Sequence, residues 1–359
     1  SSITINRPEI TIAGQTAPSP GISLIKGGII IGTHDVIIQH IRIRAGEAGR
    51  AKNSGWDVDG MTTSDGAYNV IIDHCSSCWA TDENLSASGS QFKGKTLQEW
   101  RLATSHQLTI SNCIISEALS NSTHSKGEHS KGTLVHDNIT EIALIGNLYA
   151  HNRDRNPLFK GGVQGVIINN VVYDPGIRIF TYGLAASEWG AREWVTGTMV
   201  AVGNYAKCGQ SSRKGLSMAV FTGPCNAYFE DNIALDTDGN TLNQLQGDYI
   251  KISEIPFWPD GYIALPANQV KEYVLKNAGA RPWDRDQIDA RIIRDVTLGT
   301  GKIIDSEQEV GGYPAVEQTY AAFNPEEWNL TTLTKLNSDA SIDSSKPLSF
   351  ALYQNFPNP

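Results

Sequence analysis

The sequence predicts an all-β chain wound as a right-handed parallel β-helix, with an asparagine ladder inside and an irregular, partly helical C-terminal flank. Three observations predict it. The apolar runs IIQHI, IIDHC, TISNC, LIGNL, IINNV, AVGNY and FEDNI align on one polar column of His40, His74, Asn112, Asn147, Asn170, Asn204 and Asn232. The spacings along that column are 34, 38, 35, 23, 34 and 28 residues, the length of one β-rich coil of a solenoid. Thirty-four glycines and a hydrophobic content of 40% suit short strands joined by tight turns. Buried amides must be satisfied, and amides stacked coil on coil can satisfy one another. The hand follows from the right-handed preference of parallel crossovers.

The elements follow in order. Residues 3–45 read as strands with Gly and Pro turns, as in ITIAGQTAPSPG and GGIIIGTHDVIIQHIRIR, and coils continue to about Leu235. Residues 101–106 and the SNSTHSKGEHSKG stretch read as longer loops, which on a solenoid build binding faces. Residues 241–266 read as irregular. A helix is expected from Asn268 to Ala278, with Asn268 as cap and Gly279 as stop, and RPWDRDQIDARIIRDV suggests a second. The domain reading is therefore a β-helix over 1–240, a flank over 241–345 that packs on or caps it, and a tail over 346–359.

Composition narrows the partners. A net charge of −9 and a pI near 5.4 argue against nucleic acid, although Lys126, Lys131, Arg153, Arg155 and Lys160 form a local basic cluster. No apolar run is long enough to span a membrane. No signal peptide is visible, and the chain opens inside a strand-like SSITI segment, as expected if preceding residues are removed. Five cysteines include Cys75-x-x-Cys78 without a second such pair, so a zinc site is not expected; Cys75 and Cys113 read as stacked side chains, free or bonded. His40 and His74 read as ladder members rather than catalysts.

The column also serves as a ruler. Asp82 follows His74 by eight residues and Arg155 follows Asn147 by eight, which predicts one shared face two coils apart. Asp57, Asp59, Asp82 and Glu83 are then expected beside Lys131, Arg155 and Lys160. Clustered carboxylates suit a hard cation such as Ca²⁺, and neighbouring cations suit an acidic substrate.

In this setting NVIIDHCSSCWATDENLS, TISNCIISE, HSKGTLV and NLYAHNRDRNPLFKGG, taken in order, resemble the motifs of the family 1 pectate lyases across roughly residues 5–240. The resemblance implies a parallel β-helix and calcium-dependent β-elimination of polygalacturonate (pectate). Carried over by residue, it implies Asp57, Asp59 and Asp82 as metal ligands, with Glu83 as a further one because Ser86 stands where a second acid is usual. It implies Arg155 as base and Lys131 as a catalytic cation, with Lys126, Arg153 and Lys160 binding substrate. HSKG occurs twice, so Lys126 competes with Lys131 for its role, and a lysine base remains an alternative to Arg155. Lys160 stands where the family usually has a second Arg. The rival readings are a pectin lyase acting on methylated substrate and a non-catalytic carbohydrate-binding β-helix; polygalacturonase motifs are absent. The final FALYQNFPNP resembles the start of a type IX secretion sorting domain, which implies a bacterial protein that is secreted or held at the cell surface. A monomer is expected.

Overall fold

A computed structural model describes residues 2–315 together with 319–320, 322, 324–329 and 334–335. The tail resembling a sorting domain lies outside these described residues. The chain winds as a right-handed parallel β-helix with three faces, each strand pairing in parallel with its counterpart in the next coil. The first face runs Ile3–Ile5, Ile29–Ile31, Met61–Thr63, Glu83–Ala87, Lys131–Val135, Leu158–Lys160, Phe180–Gly183 and the start of Ser217–Glu230. The second face includes Val36–Gln39, Tyr68–Asp73, His106–Ser111, Thr140–Ile145, Gln164–Ile168 and Gly197–Val202. The third includes Ile41–Arg44, Ser76–Cys78, Ile114–Ser116, Leu148–Ala150 and Val171–Tyr173. Alternating strand residues point inward, so Ile38, Ile72, Ile110, Leu144 and Ile167 stack as one buried column of the core.

Four asparagines form the ladder. The side-chain amide of Asn147 donates to Asn170 Oδ1 at 3.0 Å, Asn170 to Asn204 Oδ1 at 3.1 Å, and Asn204 to Asn232 Oδ1 at 2.8 Å. Each acceptor oxygen also takes the backbone N–H of the preceding rung. The three upstream positions of the aligned column are shifted by one residue. Strand register pairs Ser111 with Ile145 and with Asp73, so Asn147 is equivalent to Cys113 and Cys75. The backbone N–H of Cys75 points at Cys113 Sγ (3.4 Å) as that of Asn147 points at Asn170. Both thiols are free and buried. His40, His74 and Asn112 instead hold the preceding left-handed turn, at φ of 58°, 47° and 50°, where Gly146 and Gly203 stand in later coils. The rings of His40 and His74 stack at 5.1 Å, and His40 Nδ1 lies 2.8 Å from the Ala280 carbonyl, so they tie this corner to the flank.

The flank covers the third face. Helix Ala267–Asn277 begins one residue before the expected start and follows Pro266 rather than an Asn cap. Helix Gln287–Leu298 is capped by Asp286, whose carboxylate accepts from the Asp289 N–H, and it ends at left-handed Gly299. Val270, Val274, Ile288 and Ile292 bury themselves against Ile114, Leu148 and Val171. Beneath the second helix, buried Arg44 donates to Asp289 at 2.7 Å and to Asp286 at 3.1 Å, while Ser76 Oγ donates to the other Asp289 oxygen at 2.7 Å. Residues 243–251, read as irregular from sequence, form a strand that pairs with Ser217–Glu230 and extends the first face. Residues 97–103, read as part of a loop, form a short helix with a Thr96–Glu99 capping box.

Candidate active site

The first face carries the candidate site because three of its coils stack charged residues in one register column. Glu83 pairs with Lys131, and Lys131 bridges to Asp154, so charge alternates from coil to coil. Opposite charges in directly facing positions stabilise such a column. The ruler is corrected accordingly: Asp82 and Arg155 are not register equivalents, because His74 and Asn147 are not. Arg155 lies one residue beyond the column, in a left-handed turn at φ 60°, and its guanidinium reaches back two coils to pair with Glu83. Buried amides hold the backbone between them. Asn84 Nδ2 donates to Asn152 Oδ1 at 3.2 Å, and Asn152 Nδ2 to Asn156 Oδ1 at 3.3 Å.

The structure brings Asp59, Asp82 and Glu83 together, each offering one carboxylate oxygen within 4.8 Å of the others. Such an all-oxygen set of loose geometry is what Ca²⁺ accepts. Burial beside the Asp82 charge pushes the Asp59 carboxyl up to about 7, despite the Ser86 hydroxyl that donates to it at 2.7 Å. Three acids facing one guanidinium keep a surplus of negative charge, which fits a hard divalent ion. Ser86 offers no carboxylate; it braces Asp59 and lies 2.6 Å from Thr62 Oγ1. Asp57 stands apart from the trio. It is exposed and accepts from the Ser125 N–H and hydroxyl at 2.9 and 2.7 Å, which pins the loop before Lys131.

Two histidines that sequence reasoning passed over face Asp82. His129 Nε2 lies 2.7 Å from Asp82 Oδ1 and His124 Nε2 lies 3.6 Å from it, with the two rings stacked at 3.7 Å. Burial raises Asp82, yet the His129 hydrogen bond and the two imidazoles outweigh it and leave the acid below the ordinary carboxylate range. With Asp82 these rings could also enclose a metal. The tautomer decides against it. His124 Nδ1 accepts the Lys126 N–H at 3.0 Å, so the proton sits on Nε2 and points at the carboxylates. Burial and the neighbouring ring lower His124, which keeps it neutral in that form. The repeated HSKG string was the available signal, since each copy supplies one of the two histidines.

The cations divide into distinct settings. Lys131 is buried, 3.3 Å from Asp154 Oδ2, and that oxygen also takes Arg178 at 3.2 Å. Arg155 is about three-quarters covered. Burial lowers it, while Asp82 and Asp59 pull the other way. Arg153 pairs with Glu128 at 2.8 Å, and Lys126 is exposed on the loop. Lys160 sits between Asp137 at 3.2 Å and Glu188. Asp137, Asp154 and Glu188 carry no motif of their own, so their pairing with cations emerges only from the fold. A guanidinium eased toward deprotonation, above an acidic trio and beside a buried ammonium, can take a proton from a carbon whose neighbouring carboxylate is held in place.

No family model matches the chain. Among curated proteins, a probable pectate lyase C of Emericella nidulans is 30% identical over 310 residues, covering 84% of this chain and 64% of that protein. A probable pectate lyase C of Aspergillus flavus is 31% identical over 324 residues, covering 86% and 67%. The chain thus spans about two thirds of the length of these relatives, and slightly less of the first. A solved pectate lyase overlays with a TM-score of 0.49 at 16% identity, covering 73% of this chain and 65% of that one.

Proposed function

The chain belongs to the pectate lyase family, and from that premise we propose that it cleaves polygalacturonate by β-elimination, with Ca²⁺ held by Asp59, Asp82 and Glu83 and with Arg155 as base. The observation that carries this reading is the position of Arg155, a cation about three-quarters covered, lowered by burial and paired with Glu83 of the acidic trio. The reaction removes the C5 proton of a galacturonate, forms the C4–C5 double bond, and expels the C4 glycosidic oxygen with its electron pair, which then takes up a proton. Ca²⁺ bound at the trio would supply positive charge to the uronate carboxylate as negative charge develops on it.

The chain's own groups do the rest. Arg155 accepts the C5 proton when deprotonated, a state that its burial favours and that the surrounding acids oppose. Lys131 serves as a fixed cation rather than as the base, because Asp154 holds its ammonium in register beside Glu83. Arg153 and the exposed Lys126 flank the groove as carboxylate-binding groups, each on a mobile-length side chain that can follow the polymer. Asp57 acts by anchoring the Lys126 loop through Ser125. A monomer suffices for this site, since one chain supplies every group. An extracellular polymer as substrate accords with export, the role assigned to the C-terminal tail from its sequence.

The test is incubation with polygalacturonate, with added Ca²⁺ or with chelator, following the ultraviolet absorbance of unsaturated product. Absorbance that needs Ca²⁺ and disappears in Arg155→Lys supports the reading. New reducing ends without absorbance mean hydrolysis and overturn it.

A further inference from the structure

Lys160 ends the strand Leu158–Lys160 of the first face and, next to the inward-pointing Phe159, turns its side chain out of the coil, with 11% of it exposed. Its charge is already taken. On one side lies Asp137 Oδ2 at 3.2 Å, an acid with no exposed surface that also accepts from Trp189 Nε1 at 2.7 Å. On the other side lies Glu188. One ammonium between two carboxylates leaves this end of the groove with a surplus negative charge. Asp137 is structural, fixed by Trp189 and by His136 Nδ1 at 3.0 Å. Glu188 is different: its side chain is 45% exposed, and its charge also acts on Arg155.

Glu188 is held in place by its neighbour rather than by chance rotamers. It belongs to the single turn Ala186–Trp189, and Trp189 is fully buried. That indole packs edge-on against Phe92 at 5.1 Å and Trp100 at 6.3 Å, and it presses on Gly161, where a Cβ would come within 2.7 Å of Nε1. The residue just before this anchor therefore presents its carboxylate to Lys160 from a fixed backbone.

We infer that Glu188 is a specificity-determining residue, which makes the Lys160 end of the groove select a methyl-esterified galacturonate over a free one. The inference rests on the lyase reading above and names the substrate pattern of that same groove. A free uronate carboxylate arriving at Lys160 must either displace Glu188 or sit against two carboxylates, and like charges brought together disfavour binding. An ester carries no charge. Its carbonyl oxygen can accept from Lys160 without disturbing either acid. The preferred polymer is thus partially esterified, with a free carboxylate at the acidic trio and an ester toward Lys160.

Two measurements test this. Initial rates of unsaturated product are compared on polygalacturonate and on partially methyl-esterified pectin, for the natural protein and for Glu188→Gln. The natural protein is expected to favour the partially esterified polymer, and Glu188→Gln to shift the kcat/KM ratio toward polygalacturonate by about fivefold, the upper end for a half-exposed charge pair. Equal preference in both proteins, or a natural preference for the unesterified polymer, overturns the inference. Equilibrium binding of trigalacturonate and its methyl ester supplies a readout without turnover. A gain in Glu188→Gln for the free acid alone supports the inference even if no unsaturated product ever forms, an outcome that would sink only the lyase reading. Equal gains for acid and ester overturn it.

Discussion

If the acidic trio holds Ca²⁺ as proposed, Asp59 is expected to make the affinity a steep function of pH. Its carboxyl is pushed from an ordinary 3.8 up to about 7 by burial and by the Asp82 charge. A cation bound by the trio needs Asp59 ionised, so binding releases a proton wherever the metal-free site still holds one. Above about 7 that proton is already gone and affinity is flat. Below it, the ionised fraction falls roughly tenfold per pH unit, so affinity between pH 8 and pH 5.5 drops about 30-fold. Asp82 adds nothing in that window, because its lowered pKa keeps it ionised throughout. Asp59→Asn removes the group that titrates. Calorimetric Ca²⁺ titrations of the intact chain at several pH values are expected to show the 30-fold fall in the natural protein and a much flatter dependence, on a weaker baseline, in Asp59→Asn. Stability moves the opposite way without metal. A raised carboxylate costs the fold nothing below about pH 4 and its full penalty above about 7, so Asp59→Asn melts higher than the natural protein at pH 8 and equally at pH 4. A Ca²⁺ dissociation constant that stays flat from pH 5.5 to 8, or a full slope retained in Asp59→Asn, refutes the reasoning.

Other perturbations follow from the same geometry. Arg155→Lys keeps the charge beside Glu83 but loses its reach and its fork, so turnover falls by about 10² to 10⁴ while the Ca²⁺-induced rise in melting temperature survives, measurable by steady-state rates and thermal shift. Asn170→Ala orphans the buried Asn147 N–H and takes the side-chain donor from the Leu144 carbonyl, costing about 2–5 kcal/mol in chemical denaturation, whereas Asn170→Cys costs less because a thiol already serves this column at Cys113. Asp289→Ala leaves Arg42 and Arg44 buried with Asp286 alone. It costs about 3–5 kcal/mol and is expected to expose the helices of the flank to protease before the coils are cut.

The solenoid was legible in the sequence because its signal is redundant: each coil repeats an apolar run and a polar corner, and seven repeats outweigh any single misalignment. The register of the first three corners was not legible. His-Cys at 74–75 and Asn-Cys at 112–113 stand where later coils have Gly-Asn or Asn-Asn, and pattern alone favours the polar residue of each pair. Only strand pairing reveals that the polar residue took the left-handed turn and the thiol took the interior. At the site, the acids Asp59, Asp82 and Glu83 and the cations Lys131 and Arg155 could be picked out because they lie in or beside strings that resemble, in order, the motifs of the pectate lyases. Their partners could not. Asp154 and Glu188 reach their lysines through coil stacking and an inserted turn, and neither relation leaves a trace at short range.

The placement of chemistry on the first face follows from what each part of a coil must do. The second and third faces meet at the ladder, where Asn147, Asn170, Asn204 and Asn232 are fully engaged with one another and with strand carbonyls, so substitution there is felt by neighbouring coils. The third face is spent on the flank, through Arg44, Ser76 and the apolar seam with Val270 and Ile292. The first face keeps its inward residues for the core, as Leu85, Val135 and Phe159 show, and leaves strand starts and turns free to vary. Stacking then turns that freedom into geometry. Residues some 25 to 50 positions apart in sequence, such as Glu83, Lys131 and Asp154, become neighbours at the fixed inter-strand spacing of about 4.8 Å. A charge changed on one strand is felt at once by the coil above and the coil below, which is why Glu83 can hold Arg155 from two coils away and why Lys160, one coil beyond Lys131, answers to a different pair of acids.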